Sequence, residues 1–510
     1  MNPSALRHML MNKLFFKHIC LTALISLLFY SSGFGQTYEW NSSEAKEERP
    51  LFSTHFSVDD FASRQAKVFD AIGNNAIAVL QGAPSAAGYL PFWQNNEFYY
   101  LSGISSLHAY LVLDGNSQSV LLFLRTRDER REYGEGKVLS AEDVNLIYEH
   151  AAIDEVYNQT DFESVITKLI GSDKVDKVYT PFSPYEGIAG TRSMLSRAIR
   201  DMENDPFTSQ KAHHQLFISK LEEISAENDI RDLDPIIDEL RKIKSEKEME
   251  LIKRSTDLQA AAIMESMRST EVGVKPYELE AVSKYIYIKN NIQDDAYYPL
   301  IHFGPDAYMN HYHESVRPAR DGDMVLMDYG TYVDYYSSDL GRMWPVNGTF
   351  NPVQKELYTF YLKFYEAILF NIKVGLTPQQ VMQNALVEID QILAATDFSR
   401  PVYRKAAEDF VQSYHDRAKD PGMTLGHGVG MSVHDVGNYS VTIEPGMVFV
   451  IEPQFRVPEE RIYIRLEDMI FVTEDGVEVY SDFLPRDIES IEKIIREPGL
   501  LQQYPKDIQH

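Results

Sequence analysis

The chain has 510 residues, a formal net charge of −27, and hydrophobic and charged fractions of 44% and 25%. That length is more than one hydrophobic core organises, so two domains are expected. A surface this acidic repels phosphate backbones and anionic lipid, which excludes nucleic acid as a partner.

At the start of the chain, Lys13, Lys17 and His18 precede the apolar run Ile19–Tyr30, and Ser31-Ser32-Gly33-Phe34-Gly35-Gln36 follows. A basic stretch, a short apolar core and small residues at a cut site make a secretory signal. The run falls short of the roughly 20 residues that span a bilayer, so no stable membrane insertion is expected. Residues 1–35 are read as the signal, cleaved after Gly35, with Met11 as an alternative start and an uncleaved anchor as the alternative fate. The mature protein is then periplasmic or secreted. Cys20 is the single cysteine and lies inside this segment, without the small residues that precede a lipidated cysteine. The mature chain would therefore lack thiols for disulfides, nucleophiles or thiolate metal sites.

Residues 37–50 are polar and read as irregular. The pattern then predicts a helix over 57–73 and a strand at Ala76–Leu80. Further strands at Ala109–Leu113 and Val120–Leu124 flank the turn Asp114-Gly115-Asn116. Strand and helix alternate to about residue 225, which gives an α/β N-terminal domain over 44–228. Asp234-Pro235 and the charged stretch Lys242–Glu248 mark a boundary, and Ser245 with Glu248 predicts a capping box opening a helix to about 268. Gly273 and Pro276 end that helix. A second domain, 240–488, is predicted with strands at Met324–Asp328 and Thr331–Tyr336, helices at 353–372 and 377–395, and strands and turns over 423–484. Residues 489–510 read as a surface helix and tail.

The chemistry-bearing residues lie in the second domain. Asp328 (Met327-Asp328-Tyr329-Gly330) and Asp339 (Ser338-Asp339-Leu340-Gly341-Arg342) would meet if their strands pair with a turn near Val333-Asp334. His427 stands in Gly426-His427-Gly428-Val429-Gly430, where glycines permit close backbone approach. Met431 occupies the place of the third glycine of a dinucleotide fingerprint, so that reading is excluded. Glu452 ends an apolar strand, and a buried carboxylate needs a cation or many donors. Glu444, of similar local sequence, reads as a turn residue. Arg465 and Glu467 share one face of a period-2 strand. Singly, the aspartates could be solvated and the histidine structural. Jointly, two Asp, one His and two Glu offer hard oxygens and one imidazole, suited to Mn²⁺, Zn²⁺, Co²⁺ or Fe²⁺. Four carboxylates in one place call for divalent charge to offset their repulsion.

The ordered series resembles the pita-bread metallopeptidases, a group holding methionine aminopeptidase, aminopeptidase P and prolidase. Met327–Gly348 and Val433-His434-Asp435-Val436-Gly437 look like its aminopeptidase P and prolidase branch. Tyr89–Gly103 looks like that branch's N-terminal-domain signature. The resemblance implies a creatinase/aminopeptidase P-like α/β N-terminal domain followed by an α+β pita-bread catalytic domain. It implies two divalent metal ions, manganese first with zinc or cobalt as alternatives. Asp328 would bind one, His427 and Glu452 the other, and Asp339 and Glu467 would bridge. His311 and His434 match substrate-contacting histidines, Arg465 an arginine beside the last ligand, and Glu467 a proton relay. His302 and His313 fall off the motif and read as packing or surface residues. The implied substrates are peptides with proline at position 2, and a dimer or tetramer is expected. A prolidase confined to dipeptides is the nearest alternative, then a non-catalytic peptide-binding relative. Three positions depart from the branch: Met423 for a histidine, Gly341 for a threonine and Gln454 for a glycine.

Overall fold

The run from Ala76 becomes the central strand of a sheet because both of its faces find apolar partners. The computed structural model describes residues 54–503 except 86, 87, 89, 226–228 and 293. The expected signal with Cys20 and Gly35, the stretch 37–50, Tyr89 and the end of the tail lie outside the described residues. Helix α1 (Val58–Ile72) opens on Ser57, whose backbone N–H and hydroxyl both bond Asp60 Oδ2 at 2.6 Å. There follow β1 (Ala76–Gln81), α2 (Asn96–Ser102), β2 (Tyr110–Asp114), β3 (Ser119–Leu124), β4 (Glu155–Asn158), β5 (Lys177–Thr180) and β6 (Asp229–Asp232). They form one sheet in the order β4-β3-β2-β1-β5-β6. β1 runs antiparallel to β2 and parallel to β5. Alternate residues Ile77, Val79, Val112, Leu121 and Phe123 pack on helices Phe162–Ile170 and His213–Ile224, while α1 covers the other face. One correction concerns the boundary. β6 pairs with β5 and carries the sheet past residue 228, because its backbone completes an otherwise open strand edge.

Helix α3 (Asp234–Lys242) leads to α4 (Glu246–Ser269). The capping box forms as the sequence predicts: Ser245 N and Oγ bond Glu248 Oε2 at 2.9 and 2.8 Å. After α5 (Pro276–Lys289) come β7 (Leu300–Phe303) and β8 (Met324–Asp328). Thr331–Tyr336, expected as one strand, is a tight hairpin of β9 (Tyr332–Val333) and β10 (Tyr336–Ser337). Asp334 and Tyr335 make its turn at φ 49° and 74°. Both values lie in the left-handed region, as a two-residue primed turn requires. β11 (Gly341–Pro345) then returns beside β8, giving the sheet β11-β8-β7.

Three helices follow: α6 (Pro352–Asn371), α7 (Pro378–Ala395) and α8 (Pro401–Arg417). The third was not anticipated. It turns Tyr403, Ala406, Ala407, Phe410, Val411 and Tyr414 inward. β12 (Val448–Ile451), the hairpin β13 (Phe455–Val457) and β14 (Ile462–Ile464), then β15 (Asp468–Thr473) and β16 (Gly476–Val479) complete the chain's strands among the described residues. β12, β15 and β16 form a second three-stranded sheet. A bridge between Gly341 and Glu467 joins it to the first. The helix at Ile488–Ile494 buries Ile491 and Ile494, so it is docked rather than purely superficial, and a short helix at Leu500–Gln503 follows it. Among the described residues no helix is long and apolar enough to cross a membrane.

Candidate metal centre

Strand pairing gathers the five expected ligands. Asp328 ends β8, and Asp339 precedes β11, whose Gly341 pairs with Asp328. Glu452 follows β12 and Glu467 precedes β15, whose registers match Ile451 with Asp468. The four carboxylates thus stand at strand ends around the bridge between the sheets. His427 reaches them from the glycine loop, which runs beside β12 through hydrogen bonds Val450 N to His427 O (3.0 Å) and Val429 N to Val448 O (3.1 Å). Its Nε2 lies 3.5 Å from Asp339 Oδ2, 3.7 Å from Glu452 Oε1 and 3.9 Å from Glu467 Oε1. One donor atom each from Asp339, His427 and Glu467 falls within 4.8 Å of the others.

The glycines in that loop have a steric cause. A Cβ on Gly426 would overlap the Val450 carbonyl oxygen, on Gly428 the Tyr439 ring, and on Gly430 the Asp435 carboxylate. Gly428→Ala should therefore destabilise the fold by about 1–3 kcal/mol, the cost of overpacking. A thermal melt beside wild type checks this, and an unchanged melting temperature would refute the close fit.

Charge in the cluster is poorly balanced by the protein alone. Arg465 Nη1 donates to Glu452 Oε2 at 2.8 Å, and Nη2 donates to Asp328. Glu467 Oε2 is buried and has no hydrogen-bond partner among the described residues. The Tyr297 hydroxyl lies 2.5 Å from Asp328 Oδ1 and 2.6 Å from Asp339 Oδ1. Burial first, then Asp328 and Glu452, raise the Asp339 carboxyl well above its ordinary range. Burial, then Asp339 and Glu452, do the same to Glu467. Burial would also raise Glu452, but Arg465, His427 and His434 bring it below its ordinary value. A buried oxygen without a hydrogen-bond partner, among carboxyls whose neighbours disfavour their charged form, fits a site for divalent cations. The donor set fits hard or borderline divalent ions.

The sign of the pH dependence follows. A carboxyl whose folded pKa is raised stabilises the metal-free fold at low pH and loses that contribution as pH rises through the raised pKa. Asp339→Asn removes the group that must ionise. In chelator, the variant should gain melting temperature relative to wild type progressively as pH goes from about 5 to 8, starting above the ordinary carboxylate range. A gap that is flat or closes with pH would contradict this.

The His434 ring stacks on His427 at a centroid distance of 3.9 Å. It opens to solvent on one side. Loss of hydration on its other sides, then His427, lower its pKa to about 4. His311 is exposed in the turn after Tyr308. Of the off-motif histidines, His302 is buried on β7, and the exposed His313 lies against Tyr298 at 4.0 Å. Glu444 occupies an exposed turn near Lys242. Met423 is buried, and a Cβ on Gly341 would lie 3.1 Å from Glu467 Cβ. Gln454 is half-buried just past Glu452.

Two groups at the site were not singled out from sequence. Tyr297 joins both aspartates. Arg342, fully buried, donates Nη1 to the Glu467 and Gly341 carbonyls at 2.7 and 2.9 Å and pairs with Asp468 at 2.5 Å. That clamp sets the backbone from which Glu467 projects.

The chain is similar to known proteins over most of its length. Residues 250–474 match the model of metallopeptidase family M24, and 61–179 match the aminopeptidase P N-terminal domain. The Xaa-Pro aminopeptidase of Escherichia coli (strain K12) is 26% identical over 462 residues, 87% of this chain and 98% of its own. That of Haemophilus influenzae is 25% identical over 466 residues, 86% of this chain and 97% of its own. The solved aminopeptidase P from E. coli in its low-pH form superposes with a TM-score of 0.69 at 25% identity, covering 87% of this chain and 99% of that one. The fold expected from the sequence, an α/β N-terminal domain before a pita-bread domain, is borne out.

Proposed function

We propose that this chain, which belongs to metallopeptidase family M24 and carries the aminopeptidase P N-terminal domain, is a metal-dependent aminopeptidase that releases the N-terminal residue from peptides with proline at position 2. The reading is carried by the Asp339–His427–Glu467 cluster, in which both carboxylates are buried and Glu467 Oε2 has no hydrogen-bond partner among the described residues. In it, Asp328 would hold one ion, His427 and Glu452 the other, and Asp339 and Glu467 would serve both, with manganese ahead of zinc or cobalt. Two divalent ions held there would supply a water-derived nucleophile near neutral pH and positive charge for the developing oxyanion. Glu467 takes the proton released in the attack. Arg465 holds Asp328 and Glu452 in place through its two terminal nitrogens. Tyr297 spans the two aspartates and fixes their spacing. His434, neutral above its pKa of about 4, donates a hydrogen bond to the substrate carbonyl as it becomes anionic, and His311 orients the peptide. The prolyl imide has no N–H to offer a protease, so recognition falls to the shape of the pocket. A dimer or tetramer belongs to the same reading.

The test is metal analysis of the purified protein together with hydrolysis of an Xaa-Pro tripeptide and an Xaa-Pro dipeptide, before and after chelation. Tripeptide cleavage that chelation abolishes and Mn²⁺ restores supports the reading. Cleavage of the dipeptide alone makes the protein a prolidase. Activity indifferent to chelation overturns the metal mechanism.

The pattern from Lys13 to Gly35 supports export to the periplasm or beyond. Protein recovered from its source should begin at or near Gln36. An intact start at Met1 or Met11 in the cytosol would show the export reading to be wrong.

A further inference from the structure

A second charged cluster lies beneath the glycine loop, away from the metal ligands. Asp435 is its hub, and its side chain is only 1% exposed. Arg241 Nη2 donates to Asp435 Oδ1 at 2.6 Å, and Lys244 Nζ to Oδ2 at 2.9 Å. Lys244 also lies 2.8 Å from the Tyr439 hydroxyl, the ring that excludes a Cβ from Gly428. The backbone of Asp435 is tied as well, its N–H donating to Gly428 O at 2.9 Å. With both carboxylate oxygens and its N–H committed, Asp435 has no rotational freedom, and the adjacent His434 inherits that constraint.

The other end of Arg241 faces the N-terminal domain. Its Nη1 donates to Glu186 Oε2 at 2.7 Å and Glu97 Oε1 at 3.1 Å. Arg241, Glu97 and Glu186 are all 2% exposed or less. Beside them, Asn96 Nδ2 donates to Met431 O at 3.0 Å, so α2 also touches the loop directly. Burial raises Asp435, but Lys244 and Arg241 overcome it and hold this carboxyl below its ordinary value, as a fixed anion.

Buried ion pairs are weak sources of stability, since desolvation offsets much of their attraction. Packing alone would be served as well by apolar side chains. What a planar five-donor guanidinium adds is direction. We infer that Arg241 is a positioning residue: it ties Glu97 and Glu186 of the N-terminal domain to Asp435, and thereby fixes His434 over the metal centre. Under this inference the N-terminal domain takes part in the reaction without touching substrate.

The inference rests on the aminopeptidase reading for its kinetic readout, which is a double-mutant cycle. Arg241→Lys keeps the charge and loses the fork; Glu97→Gln is isosteric and milder. Each is made alone and in a His434→Ala background, with metal content and melting temperature measured for all. Arg241→Lys should lower kcat for an Xaa-Pro tripeptide at least tenfold with KM and metal content within about twofold, and Glu97→Gln should do so less strongly. In the His434→Ala background both should change kcat by less than twofold, because the group they position is gone. Losses that multiply fully in that background overturn the inference and leave the cluster a structural tie. Should wild type fail to cleave any Xaa-Pro peptide, the aminopeptidase reading falls and hydrogen exchange decides the positioning. Exchange at the amides of residues 434–436 sped at least tenfold by Arg241→Lys, with the β1–β3 amides unchanged, supports it. Unaltered exchange there overturns it.

Discussion

Asp339→Ala should leave the protein folded, strip it of at least one metal ion, and lower kcat/KM for Xaa-Pro peptides about 10³-fold or more, which is about 4 kcal/mol of lost transition-state stabilisation. Asp339 is 4% exposed and faces Asp328, Glu452, Glu467 and His427 within one cluster. Its removal deletes an oxygen proposed to serve both ions. It also frees the Tyr297 hydroxyl to bond Asp328 alone. The fold should survive, because metal-free wild type is penalised by this carboxyl and the variant is not. Metal analysis, a thermal melt and steady-state kinetics check the three parts. Near-normal turnover in the variant would place the reaction elsewhere in the molecule. Unfolding would mean that Asp339 is mainly structural.

The proposed ligands were legible as a set more than singly: the two glutamates stand where strands bury them, while the aspartates and the histidine gain meaning only together and through the resemblance. Glu452 closes the apolar run Val448–Ile451, and Glu467 follows Leu466 and precedes β15. A carboxylate placed so has few explanations besides a cation. Tyr297 had no such mark, because a tyrosine among Tyr298 and Pro299 looks like any core aromatic. Arg241 and Lys244 were less legible still. In sequence Lys244 falls in the charged stretch Lys242–Glu248 that marks the boundary and Arg241 adjoins it, and only partners far along the chain, at Glu97, Glu186 and Asp435, bury them. Burial of charge is a tertiary property, and local pattern does not report it.

The fold divides in the same way. Elements with strong periodicity were legible to within a residue or two at their ends, as α1, α4, β1 and β8 show. The turn expected near Val333-Asp334 lies one residue later, at Asp334-Tyr335, and the strand expected over Thr331–Tyr336 is broken by it; its two left-handed residues are not the Asn-Gly or Gly-Gly that announce such turns. Helix α8 did carry a signal, a proline at its first turn and inward residues at three- and four-residue spacing. Strand β6 is polar and short, and its pairing with β5 comes from the sheet edge, not from its own side chains.

His434→Ala should lower kcat by about 10²–10³, the usual loss when a donor to a developing oxyanion is removed, while metal content and KM stay near wild type. Its ring stands against His427, so it reaches the same space as the ligands without being one of the proposed five. With a pKa of about 4 the imidazole is neutral across the physiological range. It therefore donates through a ring N–H without carrying a full charge past His427. The wild-type rate should show no titration attributable to His434 between about pH 5 and 8, and the fold-loss in the variant should be constant over that window. An effect on kcat that disappears above pH 7 would mean that the cationic ring is the working form. Loss of metal in the variant would make His434 a ligand. A rise in KM with kcat unchanged would move it from transition-state stabilisation to simple substrate binding.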